Sequence, residues 1–407
     1  MDQNINRREF IAVAAGPSAA RTSSNGSIHP MPTNGAIPDQ GTNAVVPRRA
    51  FGNTGVRVSK LALGGSSMGG AGCEALLDEA LKHGVDLWET TLMEGGIKYG
   101  EYFKKNPGAR EKVFLLAKTS STNPAVMQEQ LDKTLREIGT SAIDFFAIHP
   151  VDHVEVLTND VRKWVEEAKK QKKVRLFGFC THKNMDKNLS GGADLGWIDG
   201  IVTFYNYRLQ SVKSMEDALQ KCHEKGVGII AIKSMGLCVE RKTELQNLPL
   251  NEDKLNSLLA RHDLTFAQAK LKAIWQSPNV ASICSWMPSS AILQSNIAAA
   301  VDERPLDKEV GRLLADYANS TDGYFCRCCG DLCETANADN IPIFSIIRLL
   351  LFSRGYDQKD FAKKYFIQIP IEIRQKMNTS DYSTSEKRCP QKMPIAQLMK
   401  EAFAELS

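Results

Sequence analysis

The sequence predicts an α/β protein, a (β/α)8 TIM barrel followed by an α-rich C-terminal extension. Three features of the 407-residue chain indicate this fold. Eight short apolar runs lie between residues 48 and 302, amphipathic stretches separate them, and five of the ten cysteines fall after residue 325. A doubly wound open sheet is the alternative, but no GxGxxG motif follows the first apolar run, which argues against it.

The apolar runs are predicted to be strands that are buried on both faces. Each run is too short and too continuously apolar for a surface helix. The predicted strands are Leu61–Gly65, Val85–Glu89, Val113–Thr119, Ile143–His149, Val174–Cys180, Gly200–Asn206, Val227–Lys233 and Val280–Ser285. Helical periods run over Met127–Ile138, Asp160–Gln171 and Met215–Lys225. Gly84, Gly139 and Gly226 follow helical periods, as glycines that end helices do.

Polar or titratable side chains end most of the predicted strands. Because active sites of such barrels form at the C-terminal ends of the strands, these residues are candidates for a site. A polar residue is also expected wherever a strand meets a loop, but a Lys after LLA and a His after FFAI would need buried partners. The residues at the ends are Glu89, Lys118, His149, Cys180, Asn206, Lys233 and Ser285.

An ordered series of segments over residues 48–302 resembles the aldo/keto reductase family. RRAFGNTGVRVSKLALGG resembles the family's opening, with a hairpin that closes the barrel floor. GVDLWETT, FLLAKTS, FFAIHPVD, RLFGFCTHKN, GIVTFYNYRL, GIIAIKSMG and SSAILQSNIAAA resemble the later strands and the closing helix in order. The closest resemblance is to the subgroup with a twin-arginine signal and a ferredoxin-like extension. We therefore expect a signal and linker over residues 1–47, the barrel over 48–310 and the ferredoxin-like extension over 311–407.

The resemblance implies hydride transfer between a nicotinamide cofactor, NADP(H) or NAD(H), and a small carbonyl or alcohol substrate. In the family a Tyr donates the proton, a Lys paired with an Asp lowers the pKa of that Tyr, and a His orients the carbonyl. Lys118 and His149 match by position, whereas Glu89 stands at the Asp position and Glu94 at the Tyr position. Glu94 could supply the proton if burial near Glu89 raised its pKa, and Tyr99 or His149 are alternatives.

The positions implied for the cofactor also depart from the family. The family often places a basic side chain after the eighth strand to bind a 2′-phosphate, but no Arg or Lys occurs from Ser282 to Ala300. Ser289 and Ser290 at a helix N-terminus could still bind a phosphate through backbone N–H groups. The choice between NADP and NAD therefore stays open. The implied cofactor-binding residues are Cys180, Asn206, Lys233, Ser289, Ser290 and Asn296.

The resemblance also implies a role for the cysteine-rich segment CRCCGDLC and the distant Cys389, as ligands of an iron–sulfur cluster. Relatives with the extension carry two C-x2-C-x2-C-x3-C-P runs, and each iron–sulfur cluster takes three cysteines from one run and one from the other. One set survives, in Cys326, Cys329, a displaced Cys333 and Cys389, which implies one 4Fe-4S cluster. The other set is replaced by Thr379, Tyr382, Ser385 and Ala336, which are expected to cluster without metal. Two alternatives stay open: no metal at all, or Zn²⁺ at the same four thiolates.

Composition and charge limit the partners. The formal net charge is +4, and no basic block is interleaved with aromatic residues, so nucleic acid is not expected as a partner. No stretch of about 18 consecutive apolar residues occurs, so a membrane span is not expected. Arg7, Arg8 and Phe10 before a small apolar run resemble a twin-arginine export signal, and a cytoplasmic protein with a disordered tail is the alternative.

Two functions are compatible with the sequence. The first is an aldo/keto reductase with a degenerate catalytic tetrad, whose extension is structural or relays electrons to a partner. The second is a non-catalytic relative that keeps the barrel for binding or electron transfer. Lys118 and His149 favour the enzyme, whereas Glu89, Glu94 and the missing phosphate-binding cation favour the non-catalytic relative.

Overall fold

The computed structural model describes residues 44–65, 73–90 and 95–407. Its strands are β1 Arg48–Ala50, β2 Arg57–Ser59, β3 Leu61–Leu63, β4 Leu87–Glu89, β5 Phe114–Thr119, β6 Ile143–Ile148, β7 Val174–Thr181, β8 Gly200–Phe204, β9 Gly228–Ile232 and β10 Ser282–Ser285. Eight parallel strands close into a barrel in the order β10-β3-β4-β5-β6-β7-β8-β9, and β1 and β2 form a separate antiparallel hairpin. The predicted (β/α)8 barrel is confirmed. The predicted export signal and Glu94 lie outside the described residues, and both stay predictions.

Helices surround the barrel and continue beyond it. They are α1 Cys73–Lys82, α2 Gly95–Lys105, α3 Pro124–Ile138, α4 Asn159–Lys170, α5 Met185–Asp194, α6 Lys213–Glu224, α7 Lys242–Gln246, α8 Glu252–Leu259, α9 Phe266–Trp275, α10 Ser290–Val301, α11 Lys308–Ser320, α12 Gly330–Glu334, α13 Ile343–Arg354, α14 Lys359–Phe366, α15 Ile371–Lys376, α16 Ser383–Arg388 and α17 Ile395–Leu406. The three predicted helices correspond to α3, α4 and α6, and the three predicted C-cap glycines have φ values between 70° and 73°. Within the described residues, no helix has the length and apolar character needed to cross a bilayer.

Phe51 closes the floor of the barrel. The hairpin places its fully buried ring at the N-terminal ends of the strands, against the rings of Phe114 and Phe145 at centroid distances of 5.9 and 5.2 Å. A Cβ atom on Gly200 or Gly228 would come within 2.2 and 2.4 Å of the Phe51 ring. These strands therefore begin with glycine because the aromatic plug occupies the space of a side chain.

The helices after the barrel belong to two different hydrophobic cores. Helix α11 contributes Val310 and Tyr317 to a cluster with Phe266 of α9, so it packs with the outer helices of the barrel. Helices α13, α14 and α17 share a second core, to which Ile346, Phe366 and many other apolar residues contribute. The boundary expected at residue 310 falls inside α11, and the division into domains stays a prediction. We call residues 321–407 the helical extension.

Buried polar contacts fix the helical extension on the C-terminal end of the barrel. The Nζ atom of Lys183, just after β7, donates to the Glu334 carboxylate over 2.6 Å, and the two side chains are only 9% and 11% exposed. Backbone N–H groups of Asn184 and Val239 donate to carbonyl oxygens of the extension. Removing one member of such a buried ion pair typically costs about 3–5 kcal/mol, because the remaining charge is left without a partner.

Replacing Phe51 by Ala should lower the free energy of unfolding by about 3–5 kcal/mol, since the lost ring leaves a cavity between strands that carry no side chains there. Urea unfolding followed by tryptophan fluorescence measures this change. Ile97→Ala removes an exposed apolar side chain from α2 and is the control, with little expected effect. A loss below about 1 kcal/mol in Phe51→Ala would contradict the role of the ring as a plug.

Candidate active site at the barrel mouth

Glu89 and Lys118 form an ion pair at the mouth of the barrel. They lie on the neighbouring strands β4 and β5, and their side chains are 10% and 11% exposed. The second carboxylate oxygen of Glu89 accepts a hydrogen bond from the backbone N–H of Gly65 over 2.7 Å, so both oxygens are held. Burial alone would lower the pKa of Lys118, but the Glu89 carboxylate outweighs burial and raises it. Lys118 is therefore held as an ammonium group.

His149 lies close to Lys118 and pairs with a second histidine, His182. The two Nε2 atoms are 2.8 Å apart, and the rings stand nearly perpendicular at 87°. Burial first, and then the nearby cations, hold the pKa values of both imidazoles well below the usual range. Both rings are therefore neutral near pH 7, and one Nε2 donates while the other accepts. His182 is not among the residues predicted from the sequence, although it directly follows β7 at the same end of the barrel.

Two further cations reach the mouth. Lys233 follows β9, and its Nζ atom lies 4.9 Å from the centroid of the Tyr356 ring and 5.5 Å from that of Phe352. Arg348 on α13 is buried, with its guanidinium carbon 5.6 Å from the centroid of the same Phe352 ring. Burial, then Arg348 and Lys118, lower the pKa of Lys233 to about 7. The helical extension thus covers the mouth, and no sequence feature had predicted Arg348 there.

Two of the remaining predicted residues lie close to this group. Cys180 is buried on β7 near Lys118, and burial raises the pKa of its thiol to about 12. Asn206 follows β8, where its side-chain oxygen accepts from the Arg208 N–H over 3.1 Å and its amide faces the Lys233 carbonyl at 3.4 Å. Both side chains are thus at the same end of the barrel as Lys118.

Tyr99 does not reach the mouth. Its hydroxyl donates to the backbone carbonyl of Glu89 over 3.1 Å, and its ring packs on Trp88 at a centroid distance of 5.2 Å. Trp88 and Glu89 are consecutive on β4, so their side chains point to opposite faces of the strand. Tyr99 therefore lies on the outer face with Trp88, and it is not available as a proton donor at the mouth.

The residues predicted after the eighth barrel strand lie at the start of α10. Ser289 caps this helix by accepting from the Ile292 N–H over 3.4 Å. The Ser290 hydroxyl donates to the Glu79 carboxylate of α1 over 2.6 Å, and the Gln294 amide contacts the same carboxylate. A negative charge therefore stands at the site expected for a phosphate. Further along α10, the Asn296 amide donates to the Ser285 hydroxyl over 3.2 Å.

The four predicted cysteine ligands lie together in the helical extension. Cys326 and Cys389 act electrostatically on both Cys329 and Cys333, and burial together with these neighbours raises the pKa values of the last two thiols. No three of the four sulfurs lie within 4.8 Å of one another. Four thiolates on one Zn²⁺ would be roughly 3.8 Å apart, given bonds of about 2.3 Å in a tetrahedron. The four sulfurs are therefore not arranged as a preformed tetrahedral zinc site.

Cys328 and the residues that stand at the second set of cysteine positions have different surroundings from these four cysteines. Cys328 is buried in the hydrophobic core of the barrel. Its backbone N–H donates to the Cys326 sulfur, and its thiol donates to the Cys326 carbonyl oxygen. Tyr382 and Ser385 are buried as expected, and the Ser385 hydroxyl donates to the Cys333 carbonyl over 2.8 Å. Thr379 is exposed, so the expectation that it would join them is wrong.

A cavity of about 430 Å³ lies beside the cysteine group and not above Lys118. Its walls include Arg208 and Lys213 from the barrel and Arg327 and Pro390 from the extension. Arg327 and Pro390 are the direct chain neighbours of Cys326 and Cys389. The cavity therefore gives solvent a polar, mostly basic approach to the edge of the cysteine group.

Comparison with known proteins agrees with this architecture. The sequence profile of the aldo/keto reductase family matches residues 60–316, more than half of the chain. The chain is similar to a structure described as a candidate aldo-keto reductase from Pseudomonas aeruginosa, with 18% identity and a TM-score of 0.50, over 64% of this chain and 97% of that one. It is also similar to the holo form of an aldo-keto reductase from Bacillus halodurans, with 19% identity and a TM-score of 0.53, over 67% and 96%. At these identities the two structures show a shared fold.

Replacing Lys233 by Met should raise the melting temperature more at about pH 6 than at about pH 9. Below about pH 7 the native protein must bury the Lys233 ammonium. Between that value and the unfolded pKa near 10.4, the unfolded chain binds more protons than the native protein, so wild-type stability rises with pH and the advantage of Met shrinks. Lys359→Met, at an exposed position of α14, is the control. A gain for Lys233→Met that is equal at both pH values would contradict the assigned pKa.

Proposed function

The chain belongs to the aldo/keto reductase family, and from this premise we propose that it is a nicotinamide-dependent oxidoreductase acting on a carbonyl or alcohol. The observation that carries the proposal is the buried Glu89–Lys118 ion pair at the barrel mouth, with His149 close to Lys118. A buried ion pair adds little net stability, because taking both charges out of water costs about as much free energy as their attraction returns. Stability alone therefore does not account for the Glu89–Lys118 pair. The same pair provides a fixed positive charge where a reacting oxygen would lie.

Each residue of the mouth has a separate role in the proposed reaction. The nicotinamide ring, when bound, supplies or accepts the hydride. The Lys118 ammonium stabilises negative charge on the carbonyl oxygen, because it stands in a site with little water. The neutral His149 ring orients the same oxygen with a hydrogen bond from Nε2, and in this proposal the substrate replaces His182 as its partner. Glu94 remains our proposed proton donor, since Tyr99 is held on the outer face of β4.

In this proposal the start of α10 binds the nucleotide part of the cofactor. Ser289 lies exposed at the N-terminus of this twelve-residue helix, where backbone N–H groups favour an anion. Trp286, just after β10, is 55% exposed and provides a flat apolar surface for a base. The Glu79 carboxylate that holds Ser290 would repel a 2′-phosphate at this position. The geometry therefore favours NADH over NADPH.

Titration of the purified chain with NADH and NADPH should show tighter binding of NADH. The change in tryptophan fluorescence measures binding, because Trp286 lies near the proposed nucleotide site. Glu79→Gln removes the repulsive charge and should reduce the difference in affinity between NADH and NADPH. Glu74→Gln, on the same helix α1, is the matched control and should leave the preference unchanged. If NADPH binds at least as tightly as NADH in the wild type, the role of Glu79 is wrong.

The same assay separates the enzyme from the non-catalytic alternative. That alternative is favoured by the covered mouth and by Glu89 at the family's Asp position, and it predicts that neither nicotinamide nucleotide binds. For the enzyme, Glu94→Gln should abolish turnover and leave the NADH titration unchanged, because only the proton source is removed. Full turnover in that variant would exclude Glu94 as the donor.

We further propose that the helical extension holds one 4Fe-4S cluster. Three ligands, Cys326, Cys329 and Cys333, come from one short segment, and Cys389 comes from the end of α16. The nearness of these four thiols, which affect one another electrostatically, supports a shared metal centre. The basic cavity beside Cys326 and Cys389 would then be the approach for an electron-transfer partner.

Anaerobically purified protein should contain at most about four irons per chain, as expected for a single four-iron site. Metal and acid-labile sulfide analysis measures this content. Cys389→Ser removes the distant ligand and should lower the iron content strongly. Cys328→Ser, which changes the neighbouring thiol that packs in the barrel core, should not lower it. Zinc instead of iron, or equal iron loss in both variants, would contradict the proposed ligand set.

A further inference from the structure

The cavity of about 430 Å³ beside the cysteine group lies between the barrel and the helical extension. Its walls come from the first turn of α6, the last turn of α11 and the chain next to Cys326 and Cys389. Among the described residues that line it, none belongs to the group of Lys118, His149 and Lys233. The cavity is therefore separate from the barrel mouth, and its volume lies in the range of sites that bind small molecules.

Three cations line this cavity, and they come from separate segments of the chain. Arg208 follows β8, Lys213 begins α6 and Arg327 lies in the helical extension. Asp322 is the one carboxylate among the described residues of the wall, and its Oδ1 atom accepts from the Gln391 amide over 2.7 Å. The cavity therefore carries more positive than negative charge.

Arg327 has the least compensated charge of the three cations. Its side chain is partly buried, and it acts electrostatically on the Cys329 thiol. Within the described part of the chain, its guanidinium makes no hydrogen bond and no ion pair. The N–H donors of this guanidinium are thus free for a ligand in the cavity.

Arg208 is held in place by neutral groups. It is only 5% exposed, and its guanidinium donates to the carbonyl oxygens of Gly236 and Ala318 and to the Thr321 hydroxyl. These contacts fix the orientation of the guanidinium and leave its charge without a carboxylate partner in the part of the chain that the structure describes. A buried cation of this kind gains from an anion that reaches it through the cavity.

The first turn of α6 adds neutral donors to the cavity wall. Ser214 lies exposed in this turn, and Val212 at the N-cap provides no side-chain acceptor for the backbone N–H groups of the turn. The Lys213 ammonium pairs with the Asp217 carboxylate over 2.7 Å, so it contributes less net charge than the two guanidinium groups. Hydrogen-bond donors thus reach the cavity both from the barrel and from the helical extension.

We propose that this cavity binds a small phosphomonoester of a polyol, with its phosphate held by Arg327, Arg208 and the start of α6. Guanidinium groups bind phosphate oxygens through paired, charge-assisted hydrogen bonds. A phosphomonoester carries about two negative charges near pH 7, which matches the two guanidinium groups better than the single charge of a carboxylate does. Phe325 is the one aromatic residue among the described residues of the wall, and it is only 1% exposed, so a nucleotide base finds no ring to stack on.

Calorimetric titration of the full chain with glucose 6-phosphate tests this inference, with glucose as the probe that lacks the phosphate. The wild type should bind the ester and not the free sugar. Arg327→Gln should weaken binding by about tenfold or more, since charge-assisted hydrogen bonds to the phosphate are lost. Arg312→Gln removes an exposed arginine of α11 that does not line the cavity, and this matched control should leave the affinity unchanged.

Ser214→Asp provides a second variant that does not alter the chain next to the cysteines. It places a carboxylate at the cavity, which repels the phosphate and should weaken binding by about tenfold or more. An acidic residue in the first turn of a helix is favourable, so this variant should fold. Loss of affinity in Ser214→Asp therefore reports on the cavity and not on the cysteine group.

Three results would overturn the inference. The first is that the wild type binds no glucose 6-phosphate at millimolar concentrations. The second is equal affinity for the ester in the wild type and in folded Ser214→Asp. The third is that glucose binds as tightly as its phosphate ester. These titrations need neither a nicotinamide nucleotide nor iron, so the inference stands or fails independently of the proposed function.

Discussion

The docking of the helical extension depends on the buried ion pair between Lys183 and Glu334. Glu334 also accepts a hydrogen bond from the backbone N–H of Phe344 over 3.1 Å, so the same carboxylate holds the first turn of α13. The lysine stem runs across Gly330, where a Cβ atom would come within 2.3 Å of the Lys183 Cε atom. One side chain from the barrel thus sets where α13 begins, and through α13 it sets where Arg348 lies over the mouth.

This docking changes the electrostatics of the barrel mouth. Water at the mouth would screen the charge of Lys118 and weaken the hydrogen bonds there. Here Arg348 joins Lys118 and Lys233 while the rings of Phe352 and Tyr356 exclude solvent. The lowered pKa values of Lys233 and the histidine pair follow from that combination of burial and like charge. The mouth therefore gathers buried cations at a place with little water.

The loop that docks the extension also carries the cysteine group. Cys326, Cys329 and Cys333 precede Glu334 within a few residues, and the backbone carbonyl of Cys328 accepts from the Asn184 N–H of the barrel over 2.9 Å. Loss of order in this loop would disturb both the cysteine ligands and the cover of the mouth. The two proposed sites are thus structurally linked through one segment, although their chemistry is separate.

The sequence by itself determined the barrel and the local part of the site, because strand length, apolar runs and the residue that ends each strand are read along the chain. Glu89, Lys118 and His149 meet at the mouth for that reason, since parallel strands in a closed barrel end at one rim. The tertiary structure alone decided the remaining contacts, among them Arg348 over Lys233, Glu79 at Ser290, and Tyr99 on the outer face. Each joins elements whose relative register depends on packing, and a pattern of single residues carries no information on that register.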